Sequence, residues 1–151
     1  MPEFRAGASP LFLRDEDLRQ GLDMLFYAWR DLAAEADPAL DKEGLGRAHH
    51  RALYFIGRNP GLSVSELMAI LGITKQSLSR VVKELAAKGL VSQSVGSADR
   101  RERRLKLTEA GQALEQALTA PQRTLMASAY RAAGADAVAG FRTVLAGLRR
   151  R

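Results

Sequence analysis

The sequence predicts a mainly α-helical protein with one small β-hairpin. Two patterns support this fold class. Apolar residues recur every three to four positions through most of the chain, as on one face of a helix, whereas residues 90–107 alternate apolar and polar side chains like paired strands. The length of 151 residues suits one compact domain with helical extensions. No internal repeat or low-complexity segment interrupts these patterns.

Two amphipathic helices are predicted in the first third of the chain. The first runs from Asp15 to Ala36 with a helical period sustained over about six turns. We expect Asp37-Pro38 to end it, because proline lacks a backbone donor and disfavours helical geometry in the residue before it. The second helix is predicted from about Asp41 to Gly57. It ends before the turn sequence Asn59-Pro60-Gly61.

A pair of short helices comes next. Ser63 and Glu66 have the spacing of a capping box, which satisfies free amides at a helix start. The apolar side of the first short helix consists of Leu67, Ile70 and Leu71. Gly72 can end this helix in the left-handed conformation, and Thr74 can cap the next one, Lys75 to Lys88. Two helices joined by a three-to-four-residue turn form a helix-turn-helix.

The hairpin follows directly and extends the motif into a winged helix-turn-helix. Residues Leu90–Val95 and Arg103–Leu107 alternate as strands, and the polar residues Gly96–Glu102 form the loop at the hairpin tip. A further helix is expected to start at Thr108-Glu109, with a bend at Pro121. After an interruption at Ala133-Gly134, a last amphipathic helix carries the apolar residues Val138, Phe141, Val144, Leu145 and Leu148.

The net charge of +6 is concentrated in the helix-turn-helix and hairpin. Residues 72–108 contain nine Lys or Arg against three Asp or Glu, whereas basic and acidic residues balance in the rest of the chain. A localised basic surface is typical of proteins that bind a polyanion such as nucleic acid. On charge alone, a solvated charged face is an equally good interpretation.

Several classes of function are disfavoured by what the sequence lacks. With no cysteine there can be no disulfide, thiolate nucleophile or thiol-based oxidant sensor. No phosphate-binding glycine loop, nucleophile elbow or zinc-protease motif is present, so we expect a protein that is not an enzyme and needs no cofactor. His49 and His50 point about 100° apart on a helix, which predicts a surface or dimer-interface role and no metal site. Without an apolar run of about 18 residues or a signal peptide, we expect no membrane partner and a cytoplasmic location.

The helix-turn-helix and wing together resemble the MarR family of winged-helix repressors. The resemblance rests on LSVSELMAILGITKQSLSRVVKELAAKGLVSQSV followed by ADRRERRLKLTEAG, and it covers about residues 14–150. Its most specific part is the spacing of Asp99, Arg101, Leu107 and Thr108. The resemblance implies a homodimer and four segments: 1–13, an N-terminal extension; 14–40, an N-terminal dimerisation helix; 41–108, the winged helix-turn-helix; and 109–151, C-terminal dimerisation helices.

The same resemblance implies which residues contact double-stranded DNA. The second helix of the pair corresponds to the recognition helix that enters the major groove, and the wing to an element that enters the minor groove. Arg101 matches the arginine at the wing tip and Asp99 the acid that orients it. The predicted DNA-contacting residues are Thr74, Lys75, Gln76, Ser77, Ser79, Arg80, Lys83, Asp99, Arg100, Arg101 and Arg103.

A small effector is a further expectation from the resemblance. Similar repressors hold an aromatic or amphipathic acid between their dimer helices and the winged unit. Aromatic and basic residues that could line such a pocket are Phe26, Trp29, Arg30, Arg51, Tyr54 and Phe55. Plain core packing is the alternative interpretation of the aromatic residues.

Two other functions remain compatible with a basic winged helix. One is a nonspecific, architectural DNA-binding protein, and the other is a protein-interaction module that uses its basic face on an acidic partner. The mixture of Ser, Thr, Gln and Arg on the second helix of the pair favours sequence-specific DNA binding, because these side chains can bond to base edges.

Overall fold

The computed structural model of the protein describes residues 10–150. These residues form seven α-helices, one short 3-10 turn at Leu11–Leu13, and one antiparallel two-stranded sheet. In chain order the elements are α1 (Asp15–Ala34), α2 (Asp37–Glu43), α3 (Arg47–Arg58), α4 (Val64–Leu71), α5 (Lys75–Ala87), β1 (Val91–Val95), β2 (Arg103–Leu107), α6 (Glu109–Ala133) and α7 (Ala135–Leu148). The mainly α-helical fold with a hairpin wing is confirmed.

Two helix boundaries differ from the sequence prediction. The first helix ends at Ala34, and Asp37-Pro38 begins α2 instead of terminating α1. Proline is well tolerated in the first turn of a helix, where its missing amide would have no partner. The predicted helix from Asp41 to Gly57 is divided by Gly44, whose φ of +65° ends α2 before α3 begins. The Arg47 guanidinium then binds the Asp37 carboxylate at 2.7 and 3.0 Å.

The chain divides into two compact units, one containing α1 and the other beginning at Ala36. In the second unit α3 is central and packs against α2, α4, α5, β2 and α6. Its fully buried large side chains are Leu40, Leu53, Ile56, Leu67, Leu78, Leu85, Leu105 and Leu118. These side chains give the second unit a hydrophobic core of its own. The burial of each contributes about 1.5–3 kcal/mol to the free energy of folding.

Helix α1 has a different character. Its large apolar side chains are exposed, including Leu18, Leu22, Leu25, Phe26 and Trp29. Tyr27 stacks edge-on against Phe26 and lies beneath the Arg30 guanidinium. The periodic pattern therefore predicted the helix correctly, but within this chain most of its apolar face is left uncovered.

The hairpin is confirmed, with Val91 opposite Leu107 and Val95 opposite Arg103. Two residues assigned to buried apolar faces are instead exposed: Val95 to 52% and Ile70 to 46%. Only Val91 is buried in β1, and the four residues after it are exposed. Helix α6 continues through Pro121, and α7 starts after Gly134 as predicted.

The two histidines are buried, which corrects the expected surface role. The His50 Nε2 atom lies 3.0 Å from the Thr119 hydroxyl, which donates to Glu115 at 2.7 Å. The His49 Nδ1 atom accepts a hydrogen bond from the Gly46 amide at 3.0 Å. They therefore join α3 to α6 and stabilise the start of α3. Across residues 10–150 there is no group of side chains suited to a metal ion and no helix suited to crossing a membrane.

Candidate nucleic-acid interface

The helix-turn-helix is held by local hydrogen bonds at both of its helix starts. The Ser63 hydroxyl accepts from the Glu66 amide at 3.0 Å, and the Glu66 carboxylate accepts from the Ser63 amide at 2.8 Å. The bond from the Ser63 amide to the carboxylate is the main cause that holds the pKa of Glu66 below its usual value. Gly72, with a φ of +64°, ends α4 in the left-handed conformation. The predicted capping box and glycine stop are both confirmed.

Helix α5 has one buried side and one open polar side. Thr74 caps it by accepting from the Ser77 amide at 3.1 Å. The buried side consists of Leu78, Val81, Val82 and Leu85. The exposed side presents the predicted DNA-contacting residues Lys75, Gln76, Ser77, Ser79, Arg80 and Lys83. The core thus fixes the rotation of α5, so that these side chains face away from the protein.

Arg80 is an exposed basic residue of this helix. Its side chain is 72% exposed, and its guanidinium lies 4.0 Å from the Glu84 carboxylate, one turn further along. An exposed ion pair of this length and spacing contributes at most a few tenths of a kcal/mol. Arg80 can therefore leave Glu84 at little cost and bond to another acceptor.

The wing tip is organised by Asp99. Its carboxylate accepts from the Arg101 backbone amide at 2.9 Å and from the Arg101 Nε atom at 3.3 Å. These bonds hold the pKa of Asp99 below its usual value, so the group is ionised at neutral pH. The Arg101 side chain is nevertheless 92% exposed. The acid therefore sets the direction of Arg101 without covering it.

Arg104, on β2, differs from the neighbouring wing arginines because its guanidinium is held by hydrogen bonds. Its Nη1 atom donates to the Gly61 carbonyl at 3.2 Å and lies 3.4 Å from Glu66, while its Nη2 atom donates to Glu102 at 2.9 Å. Sequence reasoning missed this role because two partners lie 38 and 43 positions away. The exposed arginines of the wing are Arg100, Arg101 and Arg103.

A cleft of about 400 Å³ lies between α4, α5 and the wing. Its walls bring three predicted residues of α5 (Lys75, Ser79 and Lys83) together with Arg101 and Arg103 of the wing. Ser65 and Gln93 also line it and were not predicted. The two predicted DNA-contacting elements thus border one concave, basic surface.

Comparison with known proteins agrees with this arrangement. Residues 43–102 match the MarR family. The HTH-type transcriptional regulator PetP of Rhodobacter capsulatus is 54% identical over 139 residues, covering 92% of this chain and 84% of PetP. The chain belongs to the MarR family. It is therefore a DNA-binding transcriptional regulator with a winged helix, and PetP is likewise a transcriptional regulator.

Solved MarR-family structures share the fold. A MarR-family transcription regulator superposes with a TM-score of 0.74 at 22% identity, covering 88% of each chain. NadR in complex with 4-hydroxyphenylacetate gives 0.73 at 23% identity, covering 82% of this chain and 88% of NadR. MarR gives 0.66 at 20% identity, covering 94% and 90%. The winged architecture of this family is thus present over most of the chain.

The residues predicted to bind an effector fall on two helices. Phe26, Trp29 and Arg30 lie on α1, where both aromatic rings are exposed. Arg51, Tyr54 and Phe55 lie half-buried on α3. The rings of Tyr54 and Phe55 meet edge-on with centroids 5.0 Å apart. Their role in ligand binding stays a prediction.

Proposed function

We propose that this MarR-family protein is a ligand-responsive repressor that binds a pseudo-palindromic operator as a homodimer. In this proposal α5 contacts bases in the major groove, and the wing contacts the adjacent minor groove. The observation that carries it is the shared basic cleft, which is bordered by both α5 and the wing.

The side chains of α5 support sequence-specific contacts. Gln76 and Arg80 can make paired hydrogen bonds to adenine and guanine edges, while Lys75 and Lys83 suit phosphates. All four are exposed. A nonspecific DNA-binding protein would need the positive charge but not the amide of Gln76.

The wing supports a contact of a different kind. Asp99 directs the exposed guanidinium of Arg101, and a narrow minor groove has a strong negative potential that attracts such a group. Arg100 and Arg103 add positive charge on either side, which suits phosphates of any sequence. The wing therefore supplies affinity and α5 supplies specificity.

Dimerisation is supported by uncovered apolar side chains at the two ends of the chain. Helix α1 exposes the residues described above, and α7 exposes Phe141, Val144 and Leu148 along one side. Soluble proteins rarely leave such extensive apolar surface in water, so a second copy of the chain is the proposed cover. Twofold symmetry then requires half-sites about one helical turn, roughly 10 base pairs, apart.

An effector is supported by the aromatic and basic side chains of α3, which are Arg51, Tyr54 and Phe55. NadR, of the same fold, was crystallised with 4-hydroxyphenylacetate. A small aromatic or amphipathic acid would pair its ring with these aromatic side chains and its carboxylate with Arg51. Because the sequence has no cysteine, an oxidant acting through a thiol is not the proposed signal.

The test of sequence-specific binding is selection of bound sites from randomised duplex DNA by the full-length protein. The proposal predicts enrichment of an inverted repeat with half-sites about 10 base pairs apart. Binding without enrichment would favour an architectural protein. No binding at physiological salt would favour a protein-interaction module.

The test of dimerisation is sedimentation of a charged variant of α7. Val144→Glu places a carboxylate on the exposed apolar side and should give monomers. The control Ala146→Glu adds the same charge at an exposed position on the other side of the helix and should remain dimeric. Two folded dimeric variants would rule out α7 as part of the interface.

A further inference from the structure

Arg104 joins the wing to the segment that leads into α4, about 40 residues earlier in the chain. It lies on β2 and contacts the Gly61 carbonyl, the Glu66 carboxylate at the start of α4, and the Glu102 carboxylate beside the wing tip. We call these four residues the Arg104 cluster. The side chains of Arg104 and Glu102 are only 37% and 30% exposed, so the 2.9 Å bond between them is partly shielded from water.

Backbone bonds mark the position of this cluster at the base of the wing. The Gly61 amide donates to the Leu105 carbonyl at 2.8 Å, and the Leu105 amide donates to the Leu62 carbonyl at 2.9 Å. The segment before α4 therefore pairs with β2 immediately beside Arg104. Beyond this point the hairpin is held mainly by its own two strands.

We propose that Arg104 is a positioning residue that sets the direction of the wing relative to the helix-turn-helix. Its bond to Glu102 attaches Arg104 to the wing, and its contacts with Gly61 and Glu66 attach it to the start of α4. This inference rests on the proposed function, in which Arg101 and α5 engage one duplex together. Arg101 can reach the DNA with α5 in its groove only when the wing points in one direction.

A direct phosphate contact by Arg104 is the competing role, and the charges oppose it. One arginine stands between two carboxylates, so the cluster has a formal charge of −1 and repels phosphate. Both Nη atoms already have acceptors. Glu66 is explained by its cap of α4, but Glu102 has no part in that cap. An acid beside a DNA-binding surface weakens its attraction for DNA, which a positioning role explains for Glu102 and a simple basic patch does not.

The experiment uses the fact that charge alone and positioning predict opposite changes in DNA affinity when an acid of the cluster is neutralised. Glu102→Gln removes a negative charge from the full-length protein with little change of shape. If charge alone governs binding, affinity for both the selected operator and random DNA should rise. If Arg104 positions the wing, operator affinity should fall about threefold to tenfold, in the lower part of the range of coupling within one polar network, while random DNA loses less. Arg104→Lys keeps the charge but not the forked geometry, and should behave likewise.

Matched measurements make the result decisive. Glu43→Gln removes an exposed acid outside the cluster and should not lower operator affinity. Arg101→Ala is then measured in the parent and in Glu102→Gln. If Arg104 positions the wing, Arg101→Ala should weaken operator binding less in Glu102→Gln than in the parent protein. An equal, nonzero cost in both would overturn the positioning role, while no cost in the parent would overturn the proposed wing contact and the inference that depends on it.

Discussion

The winged segment, residues 61–108, and the terminal helices α1 and α7 differ in how their large apolar side chains are buried. In the winged segment Leu67, Leu78 and Leu105 are fully buried, and the charged groups lie outside. In α1 and α7 the large apolar side chains are mostly exposed. One chain thus combines a winged segment with a filled core and terminal helices whose large apolar side chains are mostly exposed.

The largest expected effects are on the free energy of unfolding, which should respond differently to substitutions in these two regions. Leu78→Ala leaves a cavity in the core and should lower the free energy of unfolding by about 2–5 kcal/mol. Leu22→Ala changes a side chain that is 66% exposed, and its main effect should be a change in how stability depends on protein concentration. Urea unfolding at two protein concentrations tests both. Equal, concentration-independent losses would contradict the contrast.

The next effect lies within the winged segment. Gln76→Ala should weaken operator binding by roughly 1–3 kcal/mol and change which base is tolerated, because it removes a base-edge contact. Random DNA should lose less affinity. Arg80→Ala should behave in the same way. Gln116→Ala, an exposed residue of α6, is the matched control. If every base were tolerated as before, Gln76 would not contact bases.

A smaller effect concerns pH and the contact between α3 and α6. Burial lowers the pKa of His50 below the ordinary 6.5, outweighing the opposing charge of Glu115. As pH falls below about 6.5, the unfolded chain binds a proton before the native protein does, so stability decreases until the native pKa is passed. His50→Gln should flatten this decrease in urea titrations between pH 7 and 5. His49 is present in both proteins, so the difference isolates His50; an unchanged slope would contradict the account.

Local features were predictable from the sequence. The caps at Ser63, Thr74 and Thr108 involve partners three residues away, and all three form as hydrogen bonds. Asp99 and Arg101 are two residues apart, so their pairing was also accessible. The resemblance added the roles of these residues in DNA binding, which composition alone left open.

Features that depend on distant packing were not predictable. The burial of His50 depends on Thr119, 69 positions away, and the role of Arg104 depends on Gly61. The break at Gly44 was missed although Gly44 and Gly46 lie only two residues apart, because a single glycine is tolerated within a helical pattern and the apolar period after Leu45 was given more weight. The exposure of the apolar side chains of α1 was not predictable, because a periodic pattern predicts a helix with an apolar face but does not say whether that face is covered.

The central claim, that the wing and α5 engage the same duplex, is tested most directly at Arg101. Arg101→Ala and the control Arg123→Ala, an exposed arginine of α6, are titrated against operator and random DNA at several salt concentrations. The account predicts that Arg101→Ala weakens binding to both DNAs and lowers the slope of log affinity against log salt by up to about one unit. Unchanged affinity and unchanged slope for Arg101→Ala would show that the wing does not touch DNA.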